Sequence, residues 1–320
     1  MMNRTEEKLT CSGFSTSVEE PLAGTAPLWE WCICIEVPLP WDTDILYSKF
    51  FQDNLLTTEL KSYSANIPSL RIQALASDRN KPQDNIRVLS FKYQNQGLVK
   101  TEYIFPLPDF KKSIKTLINN KDIESIEKYN HTNKNVRDYL VCTHGNRDMC
   151  CGYWGYQLYK QLDTSYSSET IRFWRTSHLG GHRFAPTILS IDDGRYWGRL
   201  KATDFDRIIN KNLQSSDIAN IYRGKATCIS VDEQLIEKEL FKIFKWDLDK
   251  KQFKMTITNN NQSLSQYIVE INKQEITPTQ NDKYLVNIDQ GKSILRHGCI
   301  SEPTLRSEKR SAVSEFSTID

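Results

Sequence analysis

Two stretches of this chain spell out the same order of elements, and that repeat limits what the chain can fold into more than any other feature. In the first, "LWEWCICIEVPL" (28–39) is rich in β-branched and aromatic residues and reads as a strand stopped by Pro38 and Pro40. Helical apolar spacing follows over 45–63, then strand patterns over 69–77, 85–94 and 100–107, with "NQG" (95–97) joining the last two as a hairpin. "DFKKSIKTLINN" (109–120) closes the run as a helix with an Asp cap. In the second, "RDYLVC" (137–142) is a strand, "GYWGYQLYKQL" (152–162) a helix and "TIRFWRTS" (170–177) a strand. "TILSI" (187–191) and "YWGRL" (196–200) flank the turn "DDGR", and "TDFDRIINKNL" (203–213) reads as a capped helix. Both stretches read β-α-β-β-β-α. Strands alternating with helices place the chain in the α/β (α+β) class.

The flanks read differently. Residues 1–26 have no apolar core, so they are expected to be a flexible leader and not a signal peptide. Residues 230–246 have helical spacing, and four short runs over 250–302 suggest a small antiparallel β-module followed by a mobile tail, "EFSTID". The expected domains are therefore a leader (1–26), an N-terminal α/β half (27–134), a second α/β domain (135–225) and a helix with β-module and tail (226–320). The chain has 42 basic and 40 acidic residues, which gives no net field for nucleic acid or an anionic membrane surface. No apolar run approaches the length of a bilayer span. The expected compartment is the cytoplasm.

Eight cysteines in 320 residues with no secretory signal argue against a disulfide scaffold. Cys32 and Cys34 alternate with apolar residues on a strand and read as core thiols, as do Cys228 and Cys299. "CTHGNRDMCC" (142–151) differs, because it packs three cysteines and His144 onto a polar loop. "HLGGHRFAPT" (178–187) adds His178 and His182, separated by glycines that permit a tight reversal. Both loops follow strand ends, where open α/β sheets place ligands. Two thiolates with two imidazoles suit zinc or an iron–sulfur centre, although the spacing is not that of a zinc finger. Cys142 with Cys150 or Cys151 would instead serve a thiol–disulfide or peroxide enzyme as attacking and resolving thiols, and a structural zinc site is a third reading. Neither G-x-G-x-x-G nor a P-loop is present, so a nucleotide enzyme has no support.

"CTHGNRDMCCG" followed by "SHLGGHRFAPT" resembles the sucrase/ferredoxin-like family, thioredoxin-like 2Fe–2S ferredoxins with bis-histidinyl ligation. The likeness is densest over 137–200. It implies a thioredoxin-like ferredoxin domain over 135–225, beside a companion half that is itself a candidate thioredoxin-like fold. It also implies a 2Fe–2S cluster held by Cys142, Cys151, His178 and His182. Cys151 is chosen because it precedes Gly152, with Cys150 as the alternative ligand. His144, Arg147, Asp148 and Arg183 stand around the ligands as candidates for orienting them, with loop-bracing ion pairs the alternative for the charged three. Pro186 occupies the place where thioredoxin-like folds often carry a cis proline, an ordinary trans turn being the alternative. The family's historical "sucrase" finds no paired-carboxylate signature here.

The expected function is thus electron transfer to an unidentified redox partner protein, a carrier's role more than a catalyst's, with whether the chain is an enzyme left open. Neutral imidazoles in place of thiolates leave the oxidised centre less negative. Such centres have potentials of about −150 to +300 mV, against roughly −400 mV for plant-type ferredoxins. The free ring nitrogens would couple reduction to pH.

Overall fold

A computed structural model describes residues 10–79, 84–95, 97–272, 282–297 and 305–319. The chain divides into two compact units, Pro27–Ala202 and a second that joins Met1–Ala26 to Thr203–Asp320. The sequence division at 134/135 falls inside the first unit, and the one at 225/226 inside the second.

In the first unit β1 (Trp31–Glu36) runs parallel to β2 (Leu70–Ala76) and antiparallel to β3 (Asn85–Gln94), which pairs antiparallel with β4 (Gly97–Pro106). The second stretch repeats this. There β5 (Arg137–Cys142) is parallel to β6 (Ile171–Thr176) and antiparallel to β7 (Ile188–Ser190), which pairs with β8 (Arg195–Trp197). Within the unit the order is β4-β3-β1-β2-β6-β5-β7-β8, two four-stranded halves with matching topology.

All six β1 residues are buried, so both faces of the first half are covered. Trp31, Ile33 and Ile35 point to a core built with Val88, Phe105 and the helix Leu107–Asn119. That helix presents Phe110, Ile114, Leu117 and Ile118 at helical spacing. It begins two residues before the expected Asp109 cap, because Pro108 is accommodated in its first turn. The expected single helix over 45–63 is three pieces, Ile45–Tyr47, Lys49–Asp53 and Thr57–Asn66. Ser48 and Leu55, the latter at φ 54°, interrupt it.

The other face of the first half meets the second. The halves join through β2 and β6, which pair at Leu75 with Thr176 and Ala76 with Arg175. In a flat sheet β4 and β5 would stand about 24 Å apart, five strand spacings. Yet the Lys100 ammonium reaches the Asp138 carboxylate, so the sheet folds over at the narrow β2–β6 seam. The interior of the fold is ionic. Arg172 bridges Asp138 and Glu102 at 2.8 Å each, Arg87 pairs with Glu102, and Trp174 donates its indole N–H to Asp138 at 2.8 Å. Asp138 and Glu102 are nearly inaccessible, at 0% and 2% exposure, so the network is held by mutual pairing.

The second unit contains the helices Cys11–Ser17, Ser215–Ile221 and Val231–Phe244 and β9 (Tyr222–Lys225). It also contains an antiparallel sheet of β10 (Gln252–Asn260), β11 (Leu264–Asn272), β12 (Asp282–His297) and β13 (Leu305–Ile319), in that order. The expected leader is helical over 11–17, with Thr10 capping the Gly13 amide and Cys11 buried, so its described residues are not a loose tail. Of the C-terminal residues expected to be mobile, 315–319 form the end of β13, where Ile319 pairs with Lys283 of β12, and Asp320 lies outside the described residues. The strands extend to Ile319, past the 250–302 that the pattern suggested. The sequence showed no apolar alternation strong enough to extend it. Ser230 caps the helix Val231–Phe244 through the Glu233 amide, and Tyr267 ties the sheet to that helix by donating to Asp232 at 2.6 Å. Cys299 lies outside the described residues. No helix among the described residues is long and apolar enough to cross a membrane.

Candidate metal centre

β5 ends at Cys142, and nine residues later Cys151 opens a π-helical turn, Cys151–Gly155, that leads into the helix Tyr156–Tyr166. The turn presses directly on the strand end. A Cβ on Gly155 would lie 1.8 Å from the Cys142 carbonyl oxygen, so only glycine lets the two segments come this close. On the parallel neighbour, β6 ends at Thr176 and His178 follows two residues later. Gly180 and Gly181, at φ 81° and 69°, then turn the chain back into the short 3-10 turn His182–Phe184. The Ala185–Pro186 bond after it is cis.

This places Cys142 Sγ, Cys151 Sγ and a ring nitrogen of His178 within 4.8 Å of one another. His178 Nδ1 is 3.6 Å from Cys151 Sγ and 4.0 Å from Cys142 Sγ. The His182 ring centroid is 5.9 Å from that of His178. His182 Nδ1 is 3.0 Å from Asp148 Oδ2. Both cysteines are 1% exposed, whereas both histidines are half-buried, so the sulfur side faces the interior and the imidazole side faces solvent.

The surroundings act in opposite directions on the two sulfurs. At Cys142 burial opposes ionisation, but hydrogen bonds from Cys151 and His178 and the Leu179 backbone outweigh it and hold the thiol well below its ordinary range. Cys151 is pushed well above that range, first by its hydrogen bond to Cys142 and then by burial.

The neighbouring residues fall into distinct roles. Cys150 is buried but outside the converging donors, and its amide bonds Asp148 Oδ1 at 2.8 Å. Asp148 thus spans the first loop and His182 with its two oxygens. His144 is buried, and both its ring nitrogens meet main chain: Nε2 is 2.8 Å from the Asp42 carbonyl, and Nδ1 accepts from the His178 amide at 3.3 Å. Burial lowers its pKa, in keeping with a neutral ring. Arg147 is exposed and offers only its charge, while Arg183 is buried with its guanidinium 4.4 Å from the Phe184 ring.

Three participants were not found by sequence reasoning. Arg71 on β2 donates to the His178 carbonyl at 2.9 Å, Asp42 receives His144, and Trp41 packs edge-on to the His144 ring at 5.7 Å. They come from the first half, about a hundred residues away in sequence. No local pattern marks them.

A family model described as sucrase/ferredoxin-like matches residues 22–224, most of this chain. The chain belongs to the sucrase/ferredoxin-like family. Two curated relatives carry the name altered inheritance of mitochondria protein 32. The one from Meyerozyma guilliermondii is 28% identical over 93 residues, covering 27% of this chain and 33% of the relative. The one from Candida glabrata is 28% identical over 103 residues, covering 28% and 33%. The match thus spans about a third of each relative's length. No solved structure matches the chain. The family match includes both halves of the first unit, so the companion half and the Cys/His half are parts of one family architecture.

Proposed function

We propose that this sucrase/ferredoxin-like protein is a one-electron carrier whose cluster site comprises Cys142, Cys151, His178 and His182. The observation that carries the reading is the convergence of Cys142 Sγ, Cys151 Sγ and His178 within 4.8 Å, with the His182 ring beside them. Two sulfurs and two nitrogens are a donor set that a 2Fe–2S centre accepts. When bound, such a cluster supplies reversible one-electron chemistry.

The chain's own residues do the rest. The buried thiolates anchor one side and keep water off the sulfurs. The half-buried imidazoles give the centre an edge toward solvent, where a redox partner protein would exchange an electron. Asp148 holds His182 by Nδ1 and so fixes its ring, and coupling of reduction to pH through the imidazoles is part of this proposal. The strand order of the second half, with β6 parallel and β7 antiparallel to β5, supports a thioredoxin-like reading of that half. The compartment that goes with this reading is the cytoplasm, where thiol donors stay reduced.

Anaerobic purification with iron and zinc assay, followed by visible and EPR spectra before and after dithionite, tests this. Visible charge-transfer bands, about two irons per chain and a rhombic signal on reduction are expected. A colourless protein with one zinc would instead establish a structural site. Metal-free protein that readily forms a Cys142–Cys151 disulfide would establish the thiol-enzyme reading.

A further inference from the structure

The donor loops are fastened to the half of the unit that contributes no donor. The first loop is gripped by the segment after β1. His144 Nε2 lies 2.8 Å from the Asp42 carbonyl, Asn146 Nδ2 donates to the Trp41 carbonyl at 2.7 Å, and Thr43 Oγ1 donates to the Asn146 carbonyl at 3.3 Å. The second loop is gripped by β2. Ser177 N donates to the Ala74 carbonyl at 3.0 Å, the Ala74 amide donates to Ser177 Oγ at 3.0 Å, and Arg71 Nη2 donates to the His178 carbonyl at 2.9 Å. With its amide oxygen turned toward Arg71, Gln73 accepts from the same guanidinium at 2.8 Å and so sets its direction.

His144 connects the two grips. One of its nitrogens meets the Asp42 carbonyl, so it is the N–H donor, and the other must then be the acceptor that receives the His178 amide. A ring committed to main chain at both nitrogens has no lone pair for a metal. The His178 main chain is therefore held on both sides of its Cα, its N–H by His144 and its carbonyl by Arg71. These two bonds set where the His178 ring stands relative to Cys142, whose strand lies two residues before His144.

We propose that His144 and Arg71 are positioning residues of the metal site, and that the donor-free half acts as a splint fixing His178 against Cys142. The inference rests on the proposed ligand set. It assigns the first half a role in metal binding that no donor residue there would reveal. Neither residue touches the metal. Removing either leaves all four donors present but His178 no longer held in place.

The test uses full-length metal-free protein titrated anaerobically with Co²⁺ alone and followed by thiolate-to-cobalt absorption. His144→Phe keeps the ring against Trp41 and removes both hydrogen bonds. Arg71→Met removes the guanidinium from a half-buried position, and Arg71→Lys restores a donor and the charge. Wild type is expected to bind with a sulfur charge-transfer band. His144→Phe and Arg71→Met should bind about 10- to 100-fold more weakly, as orienting partners of metal ligands typically do, with Arg71→Lys in between. In wild type, the His144 ring should show a slowly exchanging Nε2–H in nitrogen-15 NMR, before any metal is added. Wild-type-like affinity and spectra in both variants would overturn the splint while leaving the ligand set standing. No thiolate band in wild type would overturn both. Should His144→Phe fail to fold, Arg71→Met against Arg71→Lys decides alone, because a loss that lysine does not recover even in part contradicts the carbonyl hold.

Discussion

The two halves of the first unit share strand order and sense, yet only one gathers sulfur and imidazole. The parallel registers make the comparison residue by residue. Glu36 is the last residue of β1 as Cys142 is of β5, and Ser77 follows Leu75 as His178 follows Thr176. At the strand ends where the second half presents Cys142 and His178, the first presents a carboxylate and a hydroxyl. Glu36 is turned into the ionic interior, 3.9 Å from Arg87, with burial raising its pKa. The same backbone thus serves two purposes. Topology brings two strand ends together, and the side chains there decide whether they offer a candidate donor set or brace a neighbour.

The largest expected effect separates the halves outright. Cys142→Ser, Cys151→Ser or His178→Ala should abolish the visible bands of the metal-loaded protein, whereas Ser77→Ala, at the matching place in the first half, should leave them unchanged. Equal loss in Ser77→Ala would mean that the bands do not come from the second half.

Next is the network that joins the halves. Asp138 is fully buried and pairs with Lys100 and Arg172 while accepting from Trp174. Asp138→Ala strands two cations and should cost about 3–5 kcal/mol in urea unfolding. A change under about 1 kcal/mol would show that the halves do not rely on it.

A third test concerns a carboxyl in the second half only. Asp192 accepts the Asp138 amide at 2.7 Å, and burial, followed by the Asp138 charge, raises its pKa to about 7 from 3.8. Between those values the folded chain binds more protons than the unfolded chain, so this group makes stability fall as pH rises from about 4 to about 7. The loss is at most about 4 kcal/mol at about 1.4 kcal/mol per pKa unit. Asp192→Asn keeps an oxygen for the amide and should flatten that slope in unfolding curves measured at pH 5 and 8. An unchanged slope would assign it to other groups.

The smallest effect is local. Gly155→Ala forces a methyl into the Cys142 carbonyl and should destabilise by about 3 kcal/mol, together with a weaker metal site. Loss of stability without any change at the metal would separate the packing from the donors.

Much of this architecture was legible in the chain, because hydrophobic period and turn chemistry act over a few residues. The strand patterns around Cys32, Leu89, Leu140 and Phe173, and the helices ending near Asn119 and Tyr166, follow from such local rules. The family motifs marked Cys142, Cys151, His178 and His182, and the structure brings the first three within contact, with His182 turned to Asp148. Local reading failed where a single residue overrode the period, as at Leu55, and where weak alternation hid a long strand, as over 305–319. Sequence alone thus determined the donor types, their strand-end spacing and the doubled element order. Only the tertiary structure decided that the sheet folds over at β2–β6, that the interior of that fold is ionic, and that Arg71 and Asp42 reach the donor loops. Those contacts join residues about a hundred positions apart. Their energy comes from hydrogen bonds and charges that exist only once the two halves are packed together, and no local pattern encodes them.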